Sequence, residues 1–410
     1  MRTATIMRST SILVSMASMA IALATASCAD GAARASGGWD GTVDTLATGQ
    51  VVVRNTSRPV WSDEQAWRVV EELRIGRVDG DGPDLLGRIA SLAVDGAGRI
   101  WVLEGQAQEI RVFDANGAFV RTVGQRGNGP GELADASAIH QGPDARMWVM
   151  DPRNARLSVF DTAGAFLRAH PARGGFFLSP WPGRFDRQGG YHAPVPRGVA
   201  GEFRVAMVRY DSAFEALDTL DAPVDPVERQ RFELSNDRGM RMMAGIPYTG
   251  GLRWLLSEQG NMWALFTDEY RLFELSSTGD TLRTITRAFA PISVTAADRE
   301  RAREDLAWFT DQGGQIDMSQ LPATKAPVDG FFFDDEGHVW VARVASPEEE
   351  GRLYDVFDPE GRFLGMLTLP FALEETPVPV IRGGAIYAVT QDELEVPYVV
   401  RARIEKGAGR

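Results

Sequence analysis

The chain holds one cysteine in 410 residues, which excludes an intrachain disulfide and a cysteine-rich metal site. Four histidines leave little material for a histidine-built metal centre. Basic charge is also short: 43 Lys and Arg face 56 Asp and Glu, a formal net charge of −13. Without a cationic surplus to grip phosphates, nucleic acid is not an expected partner. At 44% apolar and 24% charged residues, the composition excludes wholesale disorder and a multispan membrane protein. No Gly-x-Ser-x-Gly elbow occurs, which disfavours an α/β-hydrolase mechanism. The run Gly127-Asn128-Gly129-Pro130-Gly131 loses an amide donor at Pro130 and precedes no Lys-Ser/Thr, so it reads as a linker rather than a phosphate cradle. What is plentiful is glycine, 43 residues, and proline, 22, as suits a protein of many tight turns.

The N-terminus reads as an address. Arg2 and Arg8 precede an uncharged stretch from Ser11 to Ala26, too short for a comfortable membrane span but suited to a signal-peptide core. Thr25-Ala26-Ser27-Cys28 resembles a bacterial lipobox, with Thr25 where that pattern usually has Leu; the resemblance implies acylation of Cys28. Ala24-Thr25-Ala26 also fits ordinary cleavage, which would release a soluble protein. Loss of the two leader arginines takes the net charge from −13 to −15, so any hold on an anionic membrane must come from acyl chains. The domain reading is a signal peptide at 1–27, a flexible tether at 28–40, an N-terminal extension at 41–68 and a repeat region at 69–405.

Internal self-similarity is the strongest signal. Ile100-Trp101-Val102-Leu103, Ile110 to Asp114 and Gly117-Ala118-Phe119 match Met147-Trp148-Val149-Met150, Leu157 to Asp161 and Gly164-Ala165-Phe166. Trp101 to Trp148, Phe113 to Phe160, Gly117 to Gly164 and Phe119 to Phe166 are each separated by 47. Each unit reads as four strands joined by Asp-x-x-Gly turns, in which the Asp side chain accepts from amides ahead and Gly takes the positive φ that closes the hairpin. Such a unit is a propeller blade. A calcium loop is the alternative at Asp114-x-Asn116, but the later acidic ligands are missing. Further units centre on Tyr191, Trp263, Trp340 and Tyr387, and the last ends one strand short. The orphan strand Val69 to Ile75 supplies that strand if the ring closes, which leaves no open edge. Allowing for insertions at 222–250 and 286–326, the repeat length fits six blades; seven fit only if an insertion conceals strands.

Asp95-x-x-Gly98-Arg99-Ile100-Trp101-Val102, the Phe-Asp-x-x-Gly turns and the linker Gly124 to Leu133 resemble NHL repeats. The nearest likeness is to bacterial six-bladed propellers with lipoprotein-type leaders, good over 69–170, fair over 326–370 and loose elsewhere. It implies an all-β, six-bladed propeller whose N-terminal strand closes the last blade. It implies little about function, because propellers host unrelated activities. Enzymatic relatives of NHL propellers are amidating lyases whose metal is held by several histidines. Here His140 falls on a first strand, His192 on a second, His338 in a turn and His170 after a fourth strand, so no convergent set is expected.

Candidate site residues follow from the repeat register. Three positions after the Trp of the second strand, or after Tyr387 in the last unit, stand Glu104, Asp151, Phe266, Arg343 and Thr390, a ring of mixed polarity if they end equivalent strands. The alternative is loop residues satisfying local backbone. His140 is a further candidate for the channel wall. In the first insertion, Met240, Met242 and Met243 interleave with Arg238 and Arg241, a grip for an apolar anionic ligand or gap-filling under a long loop. In the second, Thr295 to Asp298 resembles a capping box, Ala302, Leu306 and Phe309 form an apolar stripe, and Gly313-Gly314 ends the helix. That helix is expected to cover one face of the ring as a lid or brace.

The sequence thus predicts a monomeric, lipid-anchored extracytoplasmic propeller, in the periplasm or at the cell surface, that binds a protein, peptide or glycan without catalysis or cofactor. The competing expectation is a lyase or hydrolase working through Glu104 and Asp151 with Arg343 and a divalent cation.

Overall fold

The computed structural model describes residues 38–172, 183–197, 204–235, 241–344, 352–374 and 376–407. Six four-stranded antiparallel sheets follow one another as blades: 89–123, 138–171, 184–221, 252–287, 328–369 and 380–405. In each of the first five, strands one to four run outward in chain order. Blade 6 has only three strands of its own, Val380–Arg382, Ala385–Gln391 and Pro397–Glu405. Its fourth is Arg68–Ile75, antiparallel to Pro397–Glu405, with Val69 opposite Ile404 and Ile75 opposite Val399. The ring is closed by the strand that the deficit predicted.

The core lies between blades rather than within one. Separate apolar clusters fill the seams; that between blades 1 and 2 joins Trp101, Leu103 and Ile110 to Ile139, Met147 and Val149. Because neighbours cover both faces of a blade, the second strands are mostly buried, and fully so at Ile100–Glu104 and Met147–Asp151. They therefore read as continuous apolar runs rather than alternating ones. Outer strands such as Phe119–Val123 are largely exposed.

The turns bind the repeat to the core. Asp95 Oδ2 accepts from the Trp101 indole at 2.9 Å and from Arg99 Nε at 2.7 Å. Burial alone would raise the Asp95 pKa, but these donors and the Ala97 and Arg99 amides outweigh it and hold the carboxyl below its ordinary value. Asp334 meets Trp340 at 3.2 Å in the same way, and Asp186 meets His192 at 2.7 Å. Spacing of six from turn Asp to aromatic therefore has a mechanism. Where blades 1 and 2 place Gly in the third-to-fourth turn, blade 3 has Phe214 at φ 64. Its ring stacks on His170 at 4.1 Å and Trp148 at 5.3 Å, which offsets the left-handed backbone. His170 itself lies within the outer strand Phe166–Pro171 rather than after it, because its backbone pairs with Leu157.

The segment before the closing strand is ordered into a strap. Thr42–Thr45 and Val51–Asn55 form a hairpin whose second strand runs parallel to Thr281–Arg287, widening blade 4 to six strands. The backbone of Val60 and Trp61 then donates to Phe363 and Leu364 of blade 5, at 3.1 and 2.8 Å. Trp67 packs 6.1 Å from Trp340 before the chain enters blade 6. Thr286 and Arg287 belong to blade 4, not to the insertion assigned from 286, because they continue its outer strand Thr281–Arg287, with Thr286 opposite Arg271.

Two insertions make a cap. Arg231–Ser235 and Arg241–Gly245 form a hairpin between blades 3 and 4. Between blades 4 and 5, helix Ala296–Asp305 begins at a complete Thr295–Asp298 capping box and is followed by Ala307–Asp311. Phe232, Ala244 and Ile246 of the hairpin segment bury against Ala302, Leu306, Phe309 and Leu321, so the predicted stripe finds its partner in the other insertion.

Candidate functional site

First strands lie innermost and run from a loop face, which carries the blade-to-blade connections and second-to-third loops, to a turn face carrying the hairpin turns. The turns around the axis are bonded across blades. Arg187 of blade 3 engages Glu258 of blade 4 at 3.2 Å and the Asp335 carbonyl of blade 5 at 2.7 Å. Asp335 Oδ2 accepts from Gly383 of blade 6 at 2.8 Å. Arg382 continues to the Val94 carbonyl of blade 1 at 3.1 Å and Gln141 of blade 2 at 2.7 Å. This lacing makes the turn face the floor of the channel, and the cap rises from the connections of the opposite face.

Glu104, Asp151, Phe266 and Arg343 end the second strands of blades 1, 2, 4 and 5, and Thr390 stands one residue before the end of that of blade 6. Their chemistry is local. Glu104 is 2% exposed and accepts from the backbone of Gly87 at 3.1 Å, Arg88 at 2.8 Å and Ala107. Asp151 is fully buried and accepts from Ala134 at 2.8 Å, Asp135 at 3.1 Å and the Asn154 side chain at 2.8 Å. Each carboxylate pins the incoming blade connection to its own second-to-third loop. Both carboxylates are occupied as acceptors for these local groups. Phe266 meets Phe273 edge-on and lies under Arg271. Arg343 donates to Met366 Sδ at 2.6 Å, and Thr390 is buried. The five share a register, the bonds of Glu104 and Asp151 stay with their own blade connections and loops, and the Arg343 charge acts on Tyr270 of blade 4.

In the cap, Met242 is half-buried against the helix cluster, while Arg241 is exposed and pairs with Glu233 at 3.3 Å. Met242 thus fills a gap beneath the hairpin; Met243 is exposed. Arg238 and Met240 lie outside the described residues, as does Cys28.

His140 sits on the first strand of blade 2, opposite Trp148. Burial, then the Arg184 charge, lower its pKa to about 4, with the Gly183 backbone opposing them, so the ring is neutral at pH 7. His192 and His338 are engaged by Asp186 and Asp334 within their own turns. Among the described residues no group of three or more His, Cys, Asp or Glu is placed to hold a metal ion.

One buried polar cluster had no sequence signal. Tyr270, in the second-to-third loop of blade 4, donates to Asp355 on the third strand of blade 5. Arg287 reaches the same carboxylate at 3.1 Å while lying 4.1 Å over the Phe363 ring. Burial, then Asp355, push the Tyr270 pKa well up, so it stays a donor. The cluster ties blade 4 to blade 5.

A profile of the family described as "6-bladed beta-propeller" matches residues 84–141. A comparison with curated proteins finds no match. Among solved structures, a protein of Bacteroides fragilis described as a candidate exported protein is 11% identical, with TM-score 0.48, covering 87% of this chain and 100% of that one. Virginiamycin B lyase of Staphylococcus aureus is 9% identical, with TM-score 0.40, covering 82% and 99%. A gluconolactonase of Xanthomonas campestris is 11% identical, with TM-score 0.40, covering 76% and 85%. At such identities the likeness concerns the fold alone. The chain is a six-bladed β-propeller, and its segment 84–141 carries the sequence signature of the family of that description.

Proposed function

We propose that this chain is an extracytoplasmic propeller, tethered through acylated Cys28, that binds a protein, peptide or glycan on its loop face rather than transforming a substrate. The observation that carries this reading is the cap: two insertions from different blade connections bury Phe232 and Ile246 against Ala302 and Phe309. A structure with its own apolar core, presenting Trp308 at 51% and Met243 at 50% exposure, is a recognition surface rather than an incidental loop. The rim carboxylates support the same reading, since Glu104 and Asp151 are consumed by backbone amides. The leader and the lone cysteine beside its cleavage site support the location.

The test is photocross-linking in cells. A photoreactive residue at Trp308 or Met243 is expected to capture a discrete adduct, and one at exposed Glu360 on the turn face is not. Equal labelling from both faces, or turnover by pure protein that Glu104→Gln abolishes without unfolding it, would overturn the reading. Mass spectrometry of the mature N-terminus tests the tether separately: diacylglyceryl-Cys28 supports it, and an unmodified Ser27 terminus removes it.

A further inference from the structure

The outer strands of blades 1 and 4 are copies of one another. Phe119-Val120-Arg121-Thr122-Val123 matches Thr281-Leu282-Arg283-Thr284-Ile285. Both pair with their third strands in one register, Thr122 opposite Arg111 and Thr284 opposite Phe273, each with a bulge at the turn end. Both also meet the next blade alike. Arg121 donates to the Ala163 carbonyl and Arg283 to the Pro359 carbonyl, each within the next blade's third-to-fourth turn. A Cβ on Gly164 would lie 2.5 Å from Val123, and one on Gly361 would lie 2.6 Å from Ile285. The difference is what lies outside. Blade 4's strand is covered by Val51–Asn55, which runs parallel to it with Val53 opposite Ile285. Gln50 Nε2 donates to Thr284 Oγ1 at 2.8 Å, and Thr284 is 7% exposed. Its counterpart Thr122 is exposed, between Phe119 and Val120 at 42% and 38% on one side and buried Val123 on the other.

A bare strand edge is a template for pairing unless charge, proline or a covering segment guards it. The strap covers blades 4 and 5. Blade 2's edge ends at Pro171, blade 3's carries Asp218 and Asp221, and blade 6's carries Glu71 and Glu72. Blade 1's edge has neither acid nor proline, and its one charge, Arg121, is turned onto blade 2. From 119 to 131 the chain holds Arg121 and Arg126 but no Asp or Glu, in a protein with an acid surplus. We propose that Phe119–Val123 is a strand-addition site for an extended, acid-flanked segment of a partner protein, β-branched at its centre and running parallel as Val51–Asn55 does on blade 4. Backbone pairing supplies the affinity, a β-branched side chain beside Val123 supplies the fit, and Arg126 sets the sign of the flank. Gly124, at φ 73, turns the chain after Val123, whereas blade 4's strand runs on to Arg287, so the added strand is a short one. This site lies on the outer rim and does not depend on the cap reading above.

The test is fluorescence anisotropy of the full mature chain with the labelled peptide Asp-Asp-Val-Val-Val-Thr-Asn. A counterpart with proline in place of the middle valine cannot complete the ladder. The first peptide is expected to bind saturably and the second about tenfold more weakly. Val120→Glu with Thr122→Glu puts repelling charge on the edge and is expected to weaken binding about tenfold, whereas Leu217→Glu on blade 3's edge leaves it unchanged. If the paired glutamates prevent folding, Arg126→Ala must still weaken the acidic peptide about threefold while sparing one with asparagines for its aspartates. Absence of saturable binding, equal binding of the proline peptide, or equal binding by parent and edge variant overturns the site. A dimer of the parent in sedimentation that the edge variant abolishes would give this edge to a second copy and overturn the partner segment. Adducts at Trp308 bear on the cap alone, so either reading can fail without the other.

Discussion

The carboxamide nitrogen of Asn55 donates to the Gly361 carbonyl over 3.0 Å, although 306 residues separate the two in sequence. The same nitrogen reaches the Thr286 carbonyl at 3.1 Å, and the amide oxygen accepts from Phe363 at 2.8 Å and the Trp39 indole at 2.9 Å. One side chain, 5% exposed, thereby uses both donors and both acceptor sites to join the strap to blades 4 and 5. Replacing Asn55 with Leu leaves buried partners unsatisfied and is expected to cost about 2–4 kcal/mol. Urea unfolding reads this directly; an unchanged midpoint would mean that the ring does not depend on the strap.

Glu104 and Asp151 behave as loop organisers. Glu104→Ala or Asp151→Ala strands several buried amides and is expected to lower stability by about 2–4 kcal/mol. Arg241→Ala, which breaks only the exposed pair with Glu233, is expected to stay within about 0.5 kcal/mol. Denaturant midpoints of the three variants check the contrast, and a neutral Glu104→Ala would reopen a rim role for that carboxylate.

Acid should weaken the fold through His140. Its folded-state pKa of about 4 lies below the ordinary 6.5, so the unfolded chain takes up the proton first as pH falls. The contribution is therefore whole above pH 6.5 and is lost progressively down to about pH 4, by up to about 3 kcal/mol. His192, lowered by burial despite Asp186, acts in the same direction. Tm followed from pH 8 to pH 4 is expected to fall less steeply for His140→Gln than for the parent. Parallel curves would contradict this.

The seams differ in thickness. Among the described residues, that between blades 3 and 4 gathers Met207, Ala222, Leu256 and Met262 as its buried apolar cluster, whereas the seam between blades 5 and 6 joins Trp340, Tyr354 and Val356 to Ile386, Val400 and Ala402. Local opening follows the thinnest apolar contact. Among the third strands, amide exchange is expected to be faster in Arg204–Tyr210 than in Arg352–Phe357. The reverse order would show that the seams do not govern opening.

Periodic features were legible in the chain because equivalent residues meet equivalent surroundings. Trp101 and Trp148 each insert beside a turn Asp, so spacing alone located blades 1 and 2. The capping box at Thr295 was legible because its bonds are local. The hairpin Thr42–Asn55 was not, since its partner strand lies some 230 residues away and leaves no nearby pattern. For Glu104 and Asp151 the register was readable but the role was not: a carboxylate at a strand end looks the same whether it faces a ligand or the amides of the preceding connection and its own second-to-third loop.

The strap has a consequence for biosynthesis. Residues 42–75 seat on blades 4, 5 and 6 in turn, and their partners end at Glu405. During translation this ribbon is made early, and its last strand, Arg68–Ile75, must wait unpaired until almost the whole polypeptide has emerged. A ribosome that stalls before the sixth blade leaves a product with loose edges at both ends, so assembly of this molecule is completed after synthesis rather than during it.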